Sequence, residues 1–172
     1  MSSATILVAG VGNIFLGDDG FGVAVARRLM QRTPRSDVRV VDFGIRGLDL
    51  AYALLEPYRL VVLIDIVQRG STSGTVHVLD LNDDATAAVA DGRSPDTHGM
   101  VPTRAIEMAR TMGASIPQLV LVGCEPANFG NPDEGEIALS PAVANAIDSA
   151  IAAIDALIAE KAESLSACTN SA

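Results

Sequence analysis

The sequence predicts an α/β fold built on a mostly parallel sheet. Apolar runs of strand length alternate with segments of helical periodicity along the chain, as βαβ units require. The composition is 49% hydrophobic but only 3% aromatic, with no Trp. The core must therefore be packed from Val, Ile, Leu and Ala, which suits buried parallel strands covered by Ala-rich helices. The 172 residues match one ordinary domain and suffice to bury a sizeable core.

The elements follow in order. "TILVAG", Thr5 to Gly10, is a buried strand ended by glycine. A helix is expected from about Gly20 to Arg32, with Val25 and Leu29 on one face. "VRVVDFG" is a second strand, Val38 to Gly44, and "LDLAYALLEP" a short helix that must stop near Pro57. "LVVLIDIV", Leu60 to Val67, is a third strand, unbroken in its apolar run except at Asp65. "GTVHVLDL", Gly74 to Leu81, alternates as an edge or antiparallel strand does. After the loop Gly92 to Gly99, Val101, Ala105, Met108 and Met112 have helical spacing, and Gly113 is a fitting stop. "PQLVLVGCEP" holds the fifth strand. The clearest helix follows, with Ser140 as its cap, Pro141 in its first turn and a buried stripe of Val143, Ile147, Ile151, Ile154 and Ile158. No repeat or linker interrupts the chain, which reads as one domain over residues 1–161 with a disordered tail at 162–172.

Several function classes are disfavoured. A net charge of −9 repels polyphosphate backbones, so no nucleic-acid partner is expected. Cys124 and Cys168 form no CxxC pair, which argues against a zinc finger or disulfide framework. The N-terminus lacks a secretory pattern and no apolar stretch reaches membrane-spanning length, so the expectation is a cytoplasmic protein without a membrane partner.

In parallel sheets, ligands sit beyond the carboxyl ends of the strands. The glycine-rich turn there, "GVGNIFLGDDGFG", invites a dinucleotide reading, and Asp42 could imitate a ribose-binding acid. However, Phe15 stands where the third glycine of the fingerprint belongs, and Asp18 and Asp19 would repel a pyrophosphate. Capping of the following helix accounts for one of the two aspartates, not easily for both. Asp65 ends an apolar run, where a carboxylate is costly unless it is paired or bound to a cation. Asp19, Asp42 and Asp65 all follow parallel strands and can approach one edge, with Arg46 the nearest cationic candidate. A metal ion is the more economical compensation. His77 reads as a surface strand residue. His98, in the loop "SPDTHGM", can complete an oxygen, oxygen, nitrogen set with an open position, and imidazole suits nickel, zinc and iron.

"ILVAGVGNIFLGDDGFG", "VVDFGIRG", "LVVLIDIV", "DTHGM" and "LVGCEP", in this order, resemble the hydrogenase maturation proteases. The resemblance runs from about Ile6 to Lys161. It implies a three-layer α/β/α fold: a twisted five-stranded sheet between helices, with one edge strand antiparallel. It also implies an endopeptidase that removes the C-terminal extension of a [NiFe] hydrogenase large-subunit precursor. Asp19, Asp65 and His98 fall on the family's nickel-binding and catalytic positions, with Asp42 a secondary candidate. The nickel would be presented by the precursor. Many members carry aspartate, two glycines and threonine after the second strand. Here the run is Asp42, Phe43, Gly44, Ile45, Arg46 and Gly47, which leaves substrate contacts in that loop open. No Ser-His-Asp, Cys-His or HExxH arrangement is evident, so water attack with Asp19 taking a proton is the expected chemistry. A nucleotide-binding α/β domain and a non-catalytic metal-binding maturation chaperone are the alternative readings.

Overall fold

The computed structural model describes residues 4–82, 100–128, 135 and 137–169. The chain runs β1 (Ile6–Val11), a 3₁₀ turn (Gly17–Gly20), α1 (Phe21–Met30), β2 (Val38–Gly44), α2 (Gly47–Ala53) and β3 (Leu60–Ile66). It continues through β4 (Val76–Asp80), α3 (Met100–Thr111), β5 (Leu119–Cys124) and α4 (Pro141–Thr169). The strands form one sheet in the order β2-β1-β3-β5-β4. β1 pairs in parallel with β2 and β3, and β3 in parallel with β5, while β4 joins the β5 edge antiparallel. This is the five-stranded, mostly parallel arrangement with one antiparallel edge that the sequence suggested.

Central strands buried on both faces need continuous apolar runs, and β1 shows why. Ile6 and Val8 pack into one core with α1 and α4, whereas Leu7, Ala9 and Val11 pack into a second core with α2 and α3. Two helices on each face make the three layers. On α4, Val143, Ile151, Ile154 and Ile158 are buried, with Ile147 packed against them. The ion pairs Arg28–Asp148 at 3.4 Å and Arg32–Asp155 at 3.0 Å stitch α1 and the turn after it to α4 at the surface. Such exposed pairs contribute about 0–1 kcal/mol each, so the apolar stripe carries the docking.

Three expectations are corrected. The buried stripe of α3 is Pro102, Ala105, Ile106 and Ala109, while Met108 and Met112 are exposed. The sequence alone suggests Met108 and Met112 because they continue the spacing from Ala105. Ala109 instead joins the buried cluster shared with α2. Second, α4 continues beyond Lys161 to Thr169, through residues expected to be a disordered tail. Ala, Glu and Leu in that stretch are good helix formers and neither Gly nor Pro stops them. Third, α4 is long and apolar enough, by length and composition, to cross a membrane. Its alanines raise the mean hydropathy, but one face is packed in the core, as in any core helix of this kind.

The strand order places a topological switch beside β1. From β1 the chain crosses by α1 to β2 on one side, then by α2 to β3 on the other. The crevice beyond β1 and β3 is where such folds bind ligands.

Candidate active site

Asp19 and Asp65 flank that crevice. Asp19 sits in the 3₁₀ turn after β1 and is 2% exposed, and Asp65 near the end of β3 is 6% exposed. The Oδ2 of Asp19 accepts the Asn13 N–H at 2.8 Å, which folds the loop back over its own carboxylate. The Oδ1 of Asp65 accepts the Ile66 N–H at 2.8 Å. Gly12 lies between the two acids with φ +126°, a conformation that favours glycine. A Cβ there would fall 1.9 Å from the Asp19 carbonyl oxygen and 3.8 Å from Asp65 Oδ1.

The two carboxylates are electrostatically coupled. Burial pushes the Asp65 carboxyl well above the usual carboxylate range, the charge of Asp19 pushes it further, and the Ile66 N–H offsets part of this. Among the described residues, no ion pair relieves Asp65. Two buried acids that resist joint ionisation form an oxygen donor set suited to a divalent cation. Among the described residues no cluster of three or more ligating side chains occurs. His98, the expected third member, lies outside the described residues, two positions ahead of α3.

Asp42 is engaged elsewhere. It lies in β2 opposite Gly10, and its Oδ2 lies 2.8 Å from Arg27 Nε on α1. Arg46 turns to its own loop, donating to the carbonyls of Phe43 and Asp42 and pairing with Asp49 at 3.3 Å. The guanidinium nearest in sequence therefore stabilises the β2–α2 turn.

The family model for hydrogenase maturation proteases matches residues 23–156. The chain belongs to the hydrogenase maturation protease family. It is 34% identical over 148 residues to the hydrogenase expression/formation protein HupD of Rhodobacter capsulatus, covering 86% of this chain and 68% of HupD. It is 30% identical over 156 residues to the hydrogenase 2 maturation protease of Escherichia coli, covering 90% of this chain and 91% of that one. The structure of the hydrogenase maturating endopeptidase HybD from E. coli superposes with a TM-score of 0.77 at 28% identity, covering 91% of this chain and 93% of HybD. That of the [NiFe] hydrogenase maturation protease HycI from Thermococcus kodakarensis gives 0.64 at 26% identity, covering 92% of each chain. The chain is thus a peptide-bond hydrolase of this family, and the nucleotide-binding reading falls away.

Within this maturation protease, further polar groups beyond Asp19 and Asp65 hold the neighbouring loops. Asp18 is fully buried and does not cap α1, whose cap position is Gly20. It accepts the N–H groups of Ala127 at 2.8 Å, Asn128 at 2.9 Å and Ser140 at 2.7 Å, and the Ser140 hydroxyl at 2.9 Å. Ser140 is accordingly drawn to Asp18 as a donor, while its carbonyl accepts the first helical bond of α4 from Ala144. Glu125, which sequence reasoning passed over, is 6% exposed and accepts the N–H groups of Arg69 and Gly70 at 2.8 and 3.2 Å. It staples the loop after β3 to the end of β5. Its signal was an acid placed directly after a buried strand, the same signal that marked Asp65. His77 points toward it, with Nε2 3.8 Å from Glu125 Oε2 and only 19% of the side chain exposed, so it is more buried than expected of a surface position.

Cys124 is no nucleophile. It is buried at the end of β5, and its thiol makes a weak 3.7 Å contact to the Glu125 carbonyl. Burial, then the charges of Asp18 and Glu125, push its pKa up to about 12. Cysteine chemistry needs the thiolate, which this environment suppresses.

Proposed function

We propose that this protease removes the C-terminal extension of a [NiFe] hydrogenase large-subunit precursor after nickel insertion, recognising the metal that the precursor carries. The buried Asp19–Asp65 pair at the switch of the sheet supports this reading most strongly. Asp19 and Asp65 would bind the substrate's nickel from the protease side, with His98 as the nitrogen donor. Nickel is part of the substrate here, which explains how cleavage would wait for metal insertion. Holding the metal places the scissile bond beside the carboxylates, and such positioning is a large source of rate. A water would attack the scissile carbonyl and pass a proton to Asp19. The new carbon–oxygen bond replaces the carbon–nitrogen bond, and the departing amine takes up a proton. Family membership and the absence of an activated thiol at Cys124 favour this route.

Mixing the protein with nickel-loaded and nickel-free precursor and measuring intact masses tests the proposal. Shortening of the loaded form alone is expected. If neither form loses mass while the loaded form still binds, the chain acts as a maturation chaperone instead.

A further inference from the structure

We infer that Asp18 is a positioning residue for the reaction, acting through Ser140 to fix the loop that presents Asp19. The inference rests on the protease reading but has its own test.

The two aspartates of "GDDG" face opposite duties although they are neighbours. The Oδ2 of Asp19 accepts the Asn13 N–H, and its own N–H donates to the Leu16 carbonyl at 3.2 Å, both within its loop. Asp18 ties that loop to distant segments. Its carboxylate gathers donors from the exit of β5 and from the entry of α4, and its own N–H donates to the Asn128 carbonyl at 3.2 Å. Two backbone approaches lie along the same seam. A Cβ at Gly20 would lie 3.8 Å from Leu139 Cδ2, and one at Gly135 would lie 4.0 Å from the Phe15 carbonyl. Residues on both sides of Asp19 are therefore laid against the segment leading into α4, and the Asp18–Ser140 clasp is its polar end.

A neutral amide cannot replace this carboxylate. Asp18 Oδ1 accepts one bond and Oδ2 accepts three. An asparagine would turn a donor toward one of these groups and leave it unmatched. The loop carrying Asp19 would then drift, and a misplacement of about 1 Å can cost about 10²-fold in rate.

Ser140→Ala removes the hydroxyl and keeps the backbone donor, and Ser140→Thr restores a hydroxyl. On nickel-loaded precursor, Ser140→Ala should lower kcat about tenfold, corrected for folded fraction, with KM within about twofold, and Ser140→Thr should recover most of it. Asp18→Asn should fall further. Hydrogen exchange reads the same clasp without substrate. The Asn13 and Asp19 amides should exchange at least about tenfold faster in Ser140→Ala than in the parent, since their protection depends on the anchored loop. Unchanged exchange there, or unchanged kcat in both variants, overturns the inference. If the parent itself leaves loaded precursor intact, the protease reading fails, and the exchange measurement still decides the clasp.

Discussion

Gly22→Ala separates close packing from ordinary helix propensity, because the two predict opposite signs. Gly22 is the second residue of α1, and a Cβ there would lie 2.1 Å from the Ile64 carbonyl oxygen and 2.3 Å from that of Val11. Both oxygens belong to backbone at the sheet edge and cannot rotate away. Against an ordinary contact of 3.4 Å, the shortfall is about 1.1–1.3 Å, so α1 would have to lift by roughly that much. Overpacking typically costs about 1–3 kcal/mol, and two backbone clashes argue for the upper end. Alanine is the better helix former by at most about 1 kcal/mol. The net loss is then about 2 kcal/mol, or roughly 4–8 °C in Tm for a chain of this length. Cleavage should fall about 10²-fold as well, since α1 begins two residues after Asp19. Denaturant unfolding followed by circular dichroism measures the first effect. An increase in the unfolding midpoint would refute the reasoning, since that is how an unconstrained helix glycine behaves.

Other outcomes follow from the buried groups. Asp65 holds its proton more tightly folded than unfolded. Its contribution to stability is therefore present below the ordinary carboxylate pKa and is lost as pH rises through the raised folded value. Asp65→Asn should be more stable than the parent at neutral pH, with the difference vanishing in acid, yet inactive on precursor; a variant less stable at pH 7 contradicts this. The proposed metal recognition requires Asp65 ionised, so precursor binding should weaken as pH falls through that same raised value, measured by titration calorimetry. Cys124, with a pKa of about 12, should be thiolate in only about one molecule in 10⁴ at pH 8. A thiol reagent should reach it only after unfolding, and folded Cys124→Ala should still cleave; rapid labelling of the native thiol would count against its burial.

Most of the sheet was legible because buried parallel strands write themselves as unbroken apolar runs. Asp65 stood out for the same reason: an acid inside "LVVLIDIV" is expensive. Asp19 was legible as an acid where a phosphate loop should have none. What stayed hidden depends on contacts between distant segments. The bonds from Asp18 to Ala127, Asn128 and Ser140 span more than a hundred positions, so local reasoning offers nothing beyond helix capping for either aspartate of the pair. The pairing of Asp42 with Arg27 follows from how α1 lies over β2, which spacing does not reveal. The buried face of α3 was misplaced because alternative helical phases share Ala105 and only packing selects Ala109 over Met108.

The proposed mechanism gives Asp19 the chemistry on a nickel-bearing precursor. An intact-mass time course of loaded precursor with the parent and with Asp19→Asn tests it most directly. Loss of the C-terminal extension is expected with the parent, and at least about 10²-fold slower loss with folded Asp19→Asn. Cleavage by Asp19→Asn at the parent's rate would contradict it.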